Sequence, residues 1–558
     1  MLLGVLLAAL APWAERGRWV ALIEPAAAQL PCLSYAPFRR AGHTPFDATL
    51  VVTPAQIEDD LRRLLPRTRC VRLYGTAHGL DAVPAIAQRL GLRVVLGAWL
   101  GRDEAANAAE MRRAVALAIE FAAIVDRLIV GNEVLLRREL SVDALARWLD
   151  QARAQLEQVQ VPVSYADVWE FWLRHDRLRA HVDIVTAHVL PYWEDEPVAI
   201  DDAVAHVVAH TRRLQAHFAP LPVWIGETGW PAAGRQRAAA APGRVAQARF
   251  VRELVVRAAQ ERFDFNLIEA FDQPWKSGLE GKVGGYWGLF DAQGHERLSW
   301  RGAVREDERW WRGPLAALAG ALAGAFIVAL IARATGRPWF RAAARVMPGS
   351  SLVALLLVLP LAEAVAASWR GLPALAPLPL AWALVLLVCG VALVGRLAWP
   401  AGDSAHPQGR EEGHENHGEH ELHDRPLAYA VLATLFAAGC IVLPIIADPR
   451  YRELPWMPLA GAASLLVALR LQGPWPVPLQ RPRCALGGAL VIAATLLMLR
   501  EGALNGEAWA VAAALAAMGL AALWRQPAHR SSSRGSGPRA AASTASASST
   551  AGAARSAE

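Results

Sequence analysis

The chain has 558 residues, 54% of them hydrophobic and only 19% charged, with 22 tryptophans; it is too apolar for one water-soluble globule and too regular for a disordered protein. Its formal charge of +6 comes from 57 basic and 51 acidic residues. Much of the arginine flanks apolar stretches, so the charge reports membrane topology and not nucleic-acid binding. Charged and apolar residues mix up to about residue 310 and long uncharged stretches follow, which predicts two halves of different kind.

At the amino terminus, residues 1–13 form an apolar run, and Ala26 and Ala28 offer a small-x-small cleavage pattern. No basic segment precedes the run, and Arg16 and Arg18 follow it, so residues 1–28 read equally as a cleaved signal or an uncleaved anchor. Eight short β-branched runs come next, at 32–37, 70–74, 94–98, 128–131, 161–165, 184–188, 223–226 and 265–271. Most intervals between them carry an amphipathic helical pattern, such as 55–65 and 142–158. This alternation predicts an α/β domain over residues 29–305, a (β/α)8 TIM barrel. An open doubly wound sheet is the alternative, disfavoured because no GxGxxG follows the first strand and the informative polar residues fall at strand carboxyl ends. Cys32 and Cys70 begin neighbouring predicted strands and are either one disulfide or two buried thiols.

The fourth predicted strand ends on Asn132-Glu133 and the seventh on Glu227-Thr228-Gly229-Trp230-Pro231. In a barrel both carboxylates point into one mouth, as glycoside hydrolysis requires: one protonates the leaving oxygen while the other attacks the anomeric carbon. Glu133 is assigned as acid/base and Glu227 as nucleophile. Asn132 is placed to hydrogen-bond a sugar 2-hydroxyl. Tyr35, Tyr74, Tyr192, Trp193 and Trp230 offer faces on which sugar rings could stack, although each could equally be core. Asp167 is a candidate hydroxyl contact. Glu269 and Lys276, with Asp272 beside them, are expected to bias the protonation of Glu133 or brace it. Two-carboxylate chemistry requires no metal and no organic cofactor.

These motifs resemble glycoside hydrolase family 17, the retaining β-1,3-glucanases and glucanosyltransferases, over most of residues 32–291. The resemblance rests on Ser34-Tyr35-Ala36-Pro37-Phe38, Val71-Arg72-Leu73-Tyr74-Gly75, Val130-Gly131-Asn132-Glu133, Ile225-Gly226-Glu227-Thr228-Gly229-Trp230-Pro231, the run Glu269 to Lys276, and Tyr286-Trp287-Gly288-Leu289-Phe290-Asp291. It implies a (β/α)8 fold with acid/base and nucleophile at Glu133 and Glu227, and a β-1,3-glucan or gluco-oligosaccharide as substrate. One departure is Gln273, where many relatives carry a carboxylate.

Beyond residue 310, apolar segments near 313–333, 349–368, 377–395, 427–447, 455–470, 484–499 and 506–523 predict about seven transmembrane helices, a polytopic α-helical domain. Alternate loops and the tail carry fifteen arginines against four in the others, which places the barrel outside the cytoplasm and the tail within it. Within the spans, Glu363 is the charge that lies away from the ends, so transport is weakly supported. The loop at 400–426, with His406, His414, His417, His420 and His423, reads first as a solvated loop, and residues 525–558 read as disordered. The expectation is a transglycosylase of a bacterial inner membrane, acting in the periplasm on envelope glucan, with the lipid bilayer and a glucan synthase as candidate partners and no nucleic acid. Bacterial family members with similar membrane regions resemble glucosyltransferases that elongate or branch β-glucans. The alternatives are a simple β-1,3-glucanase and a membrane platform for glucan synthesis with a glucan-binding barrel.

Overall fold

The computed structural model describes residues 2–335, 339–369, 377–398, 417–447, 452–473, 475 and 479–524. The tail 525–558 and the side chains of Glu363 and of the five loop histidines lie outside the described residues. Eight parallel strands close a barrel in sequence order. They are β1 (Cys32–Ser34), β2 (Cys70–Arg72), β3 (Arg93–Ala98), β4 (Val125–Asn132), β5 (Val163–Val168), β6 (Ile184–His188), β7 (Val223–Thr228) and β8 (Phe265–Leu267). After α1 (Leu2–Gly17), the barrel helices are α2 (Pro54–Leu64), α3 (Val83–Leu90), α4 (Glu104–Glu120), α5 (Val142–Leu156), α6 (Trp169–Arg174), α7 (Ile200–Phe218) and α8 (Arg244–Glu261), with a single turn, α9 (Ser277–Glu280), after β8. All eight predicted strands form, and the open-sheet alternative falls because β1 pairs with β8.

Strand periodicity sorts the side chains. Leu33, Val71, Val163, Val185, Ile225, Phe265 and Leu267 pack in the main core. On the alternate positions, Cys32, Cys70, Val95, Ile129, Ala166 and Trp224 form a separate apolar plug. Cys32 and Cys70 are joined as a disulfide within it, the pairing an oxidising compartment allows. Two positions beyond Cys32, Cys70 and Ile184 stand Ser34, Arg72 and Thr186, which with His188 and Asn266 are buried and polar, so the barrel interior turns from apolar to polar toward its carboxyl end.

Among the described residues seven helices follow: α10 (Arg312–Thr335), α11 (Trp339–Trp369), α12 (Pro377–Ala398), α13 (His417–Ala447), α14 (Trp456–Leu471), α15 (Gln480–Glu501) and α16 (Gly506–Leu523). Among the described residues, five are long and apolar enough to cross a membrane, those in α10, α11, α13, α15 and α16. The described apolar parts of α12 and α14 are shorter. A Cβ on Gly519 would meet the Gly487 carbonyl oxygen at 2.5 Å, so α15 and α16 touch backbone to backbone through small residues, a packing suited to lipid. Helix α1 lies against this bundle, with Leu6 and Trp13 clustered with Ala317, Leu352 and Leu355.

Candidate active site

Both glutamates stand at the carboxyl end of the barrel. Gly131 and Glu133 have φ values of 81° and 53°, a left-handed turn that lifts Glu133 over the mouth, and the Glu133 amide donates to Ala166 O at 2.7 Å. A Cβ on Gly131 would lie 2.7 Å from Val134 Cγ2, so glycine is required there both for φ and for space. On β7 the pairing slips: Ala187 faces Ile225 but His188 faces Glu227. This irregularity re-aims Glu227 into the barrel.

Arg72 and His188 tie the two glutamates together. Arg72 Nη1 donates to Glu227 Oε1 at 3.1 Å and to Gly226 O at 2.6 Å, while Nη2 donates to Asn132 Oδ1 at 2.6 Å. His188, fully buried, sets Nδ1 2.9 Å from Glu133 Oε1 and Nε2 3.5 Å from Glu227 Oε1. One carboxylate oxygen of Glu133 and one of Glu227 lie within 4.8 Å of each other. With Oδ1 committed to Arg72, the Asn132 amide group keeps its N–H donors for a ligand. Tyr74 donates to or accepts from Ser34 at 2.8 Å and lies under the Arg72 guanidinium, 4.7 Å from its ring centre.

Glu133 is about a quarter exposed (24%), whereas Glu227 is buried (6%). Burial pushes the Glu133 carboxyl up, but the hydrogen bond and charge of His188, with Arg137 and Arg72, outweigh it and hold it below the ordinary carboxylate range. The nearby supporting carboxyls shift the other way. Burial raises Glu269 to about 7 against the pull of Lys276, and raises Asp272 to about 6 against Arg297. Asp167 is raised to about 6 by burial, with Glu133 adding to the effect.

Glu133, His188 and Glu227 each present a donor atom at a spacing a cation could bridge. His188 Nε2 and Glu227 Oε1 already face the Arg72 guanidinium at 3.5 and 3.1 Å. A cation there would sit against a fixed positive charge, so the donor set does not fit a resident metal.

The other expected residues separate into two groups. Lys276 Nζ lies 3.0 Å from both oxygens of Glu269, and Asp272 pairs with Arg297 and accepts from the Gly288 amide at 3.0 Å. Gln273 donates from Nε2 to Ala36 O at 2.7 Å and accepts from Trp275 Nε1 at 2.9 Å; a carboxylate could not make the first bond, which accounts for the amide. Tyr35, Tyr192 and Trp230, in contrast, are buried in the core. Their polar atoms donate to Asp60 Oδ2 at 3.1 Å, Arg235 O at 2.7 Å and Ala241 O at 3.2 Å, so the structure does not bring these rings to an open cleft. Asp167 is likewise enclosed, holding the Tyr165 hydroxyl and the Val168 amide. Sequence reasoning missed His188 and the linking role of Arg72, although both sit at strand carboxyl ends, the signal that found the glutamates. It also missed Glu280 in α9, whose carboxyl is pushed up by burial against the pull of Lys276, with the charges of Glu133 and Glu227 adding to the rise.

Residues 32–288 match the BtgE/BtgC glycoside hydrolase domain. Similar proteins include the glucan 1,3-beta-glucosidase of Schizosaccharomyces pombe, 29% identical over 243 residues, 41% of this chain and 75% of that protein. The probable beta-glucosidase btgE of Aspergillus flavus is 27% identical over 225 residues, 40% of this chain and 36% of that protein, so the match spans well under half of this relative's length. Among solved structures, the glycoside hydrolase family 17 beta-1,3-glucanosyltransferase of Rhizomucor miehei is 24% identical, covering 49% of this chain and 98% of that one with a TM-score of 0.43. The matched stretch begins at the first residue of β1 and runs past β8, so the similarity to the BtgE/BtgC glycoside hydrolase domain spans the whole barrel.

Proposed function

We propose that this chain is a membrane-anchored retaining β-1,3-glucan transglycosylase whose barrel works outside the cytoplasm. The observation that carries the reading is the approach of the Glu133 and Glu227 carboxylates to within 4.8 Å. Retaining enzymes hold them about 5 to 5.5 Å apart, whereas inverting enzymes leave about 6.5 to 9.5 Å for a water. Glu227, oriented by Arg72, attacks the anomeric carbon while Glu133 gives its proton to the departing glycosidic oxygen. The glucosyl group is then esterified to Glu227. That ester removes a negative charge beside Glu133, which favours its ionised form and the second step, in which it takes a proton from the acceptor hydroxyl. Asn132 donates to the sugar 2-hydroxyl as positive charge develops on the ring. The substrate class follows from the similarity of the barrel to the glucan 1,3-beta-glucosidase of Schizosaccharomyces pombe.

The location rests on the Cys32–Cys70 disulfide, the arginine asymmetry of the loops and five helices of membrane-crossing length among the described residues. We read these as a bacterial inner membrane with the barrel in the periplasm and the tail in the cytoplasm. Helix α1 packs against α10 and α11 through Trp13 and Leu6, which suits a retained anchor better than a cleaved signal. A polytopic anchor suits an enzyme that remodels the cell's own glucan, beside a glucan synthase. Hydrolysis is the second reading, favoured by the glucosidase names of the relatives. The full-length chain in lipid nanodiscs, incubated with a reduced β-1,3-gluco-oligosaccharide and followed by mass spectrometry, separates the two. Products longer than the substrate establish transfer, and only shorter products establish hydrolysis. No change dependent on Glu227, judged against Glu227→Gln, overturns both.

A further inference from the structure

The loop that follows the nucleophile strand does not end in solvent. Between β7 and α8 it reaches the bundle, where Arg235 pairs with Glu501 at the end of α15, each side chain 6% exposed. Arg235 also donates from Nη1 to Arg452 O at 3.0 Å, in the segment before α14. Gln236 makes bonds through every polar group it has. Its amide donates to Glu507 Oε2 at 2.8 Å, its carbonyl accepts from Asn505 Nδ2 at 3.1 Å, and its side chain donates to Leu504 O at 3.2 Å and accepts from the Glu507 amide at 3.3 Å. Asn505 is fully buried and also holds Glu501 Oε2 at 2.9 Å.

A buried ion pair offsets its desolvation only with good geometry and further hydrogen bonds, both of which this cluster has. A second tie lies on the same rim. Helix α8 starts at the carboxyl end of the barrel, and its first amides, Arg244 N and Val245 N, donate to Glu306 at 3.0 and 3.2 Å, six residues before α10 begins.

From the junction the contacts continue to the mouth. Tyr192 hydroxyl holds Arg235 O at 2.7 Å, Arg237 Nη1 holds Tyr192 O at 2.6 Å, and the Arg237 guanidinium lies 5.2 Å from the ring of Trp193, in the loop after β6. Trp193 in turn stacks on Trp287 at 6.4 Å and 17°.

We propose that the outer loops of the bundle clamp the carboxyl-end rim of the barrel, so that the glucan cleft opens at the membrane surface. The bundle walls its β7 side, and Arg235 and Gln236 are positioning residues for that wall. The inference rests on the membrane-anchored reading above, and it makes the glucan a chain presented along the bilayer surface.

The test uses the full-length chain in nanodiscs with Cys389, Cys440 and Cys484 replaced by serine. A short bis-maleimide should link Gln236→Cys to Leu504→Cys, read as a joined peptide after proteolysis. Absence of that peptide, with both cysteines open to a monofunctional maleimide, overturns the docking. Separately, Glu501→Ala and Asn505→Ala should each raise KM for a β-1,3-gluco-oligosaccharide about tenfold with kcat changed less than about twofold, and Glu501→Asp should recover part of the loss. Unchanged KM in both alanine variants overturns the positioning role. A wild-type chain inert on the oligosaccharide refutes the functional reading instead, and the crosslink still decides the docking.

Discussion

Arg72 reaches from β2 across the barrel to Glu227, the Gly226 carbonyl and Asn132, so one guanidinium sets the rotamers of Glu227 and of Asn132 beside Glu133. His188 does the matching work for Glu133, and its hydrogen bond and charge hold that carboxyl low. In the proposed mechanism Glu133 must carry its proton when the glycosidic bond breaks, so activity should fall as pH rises through the value of Glu133. In His188→Gln that holding contribution is gone and the Glu133 value rises. The alkaline limb of the kcat/KM profile should therefore move to higher pH, while the maximal rate falls; an unmoved limb would show that another group is the acid. Glu133, Glu227 and Asn132 were legible in the sequence because each ends a β-branched run. Tyr35, Tyr192 and Trp230 were not, because an aromatic whose hydroxyl or indole N–H is satisfied inside a core looks the same in one dimension as one facing a sugar.

The strands supply the geometry that those side chains use. Irregular pairing falls at β4 with β5, β6 with β7 and β7 with β8, beside the residues that must turn into the mouth, as bulges do near active sites. Gly226 illustrates the tightness of this layer. A Cβ there would come 2.4 Å from Thr186 Cγ2 and 3.2 Å from His188 Cδ2. Gly226→Ala should push the imidazole off Glu133 and cost about 1–3 kcal/mol of stability by overpacking. Its kcat/KM should fall about a hundredfold, measured at a temperature where the variant is fully folded; activity that merely tracks the folded fraction would contradict this. The eight strands were readable from their apolar runs, but the slips in register were not, since they depend on which residues of neighbouring strands meet.

Across the whole molecule, several buried carboxyls couple folding to pH. Glu269 is raised to about 7, and Asp272 and Asp167 to about 6, all chiefly by burial. A carboxyl raised on folding binds its proton more tightly in the native state, so its contribution is complete below the ordinary carboxylate range and is lost as pH rises through about 6 to 7. Glu133, held low, acts in the opposite sense only in acid. The barrel's melting temperature should therefore fall between pH 5 and pH 8, followed by tryptophan fluorescence, and Glu269→Gln should flatten that slope. An equal slope in the variant would remove Glu269 from the account.

Sequence alone determined the alternation of strands and helices, the two glutamates at strands four and seven, and the apolar segments beyond residue 310, because periodicity and local composition are properties of neighbours along the chain. It left open whether Cys32 and Cys70 pair and whether residues 1–28 anchor the protein. Only the tertiary structure joined those cysteines, brought Arg72 and His188 between the glutamates, and set Gln236 against Asn505 from 269 positions away. Those partners come from separate strands and helices, and their meeting is decided by barrel closure and by burial of polar groups that must find one another once water is excluded.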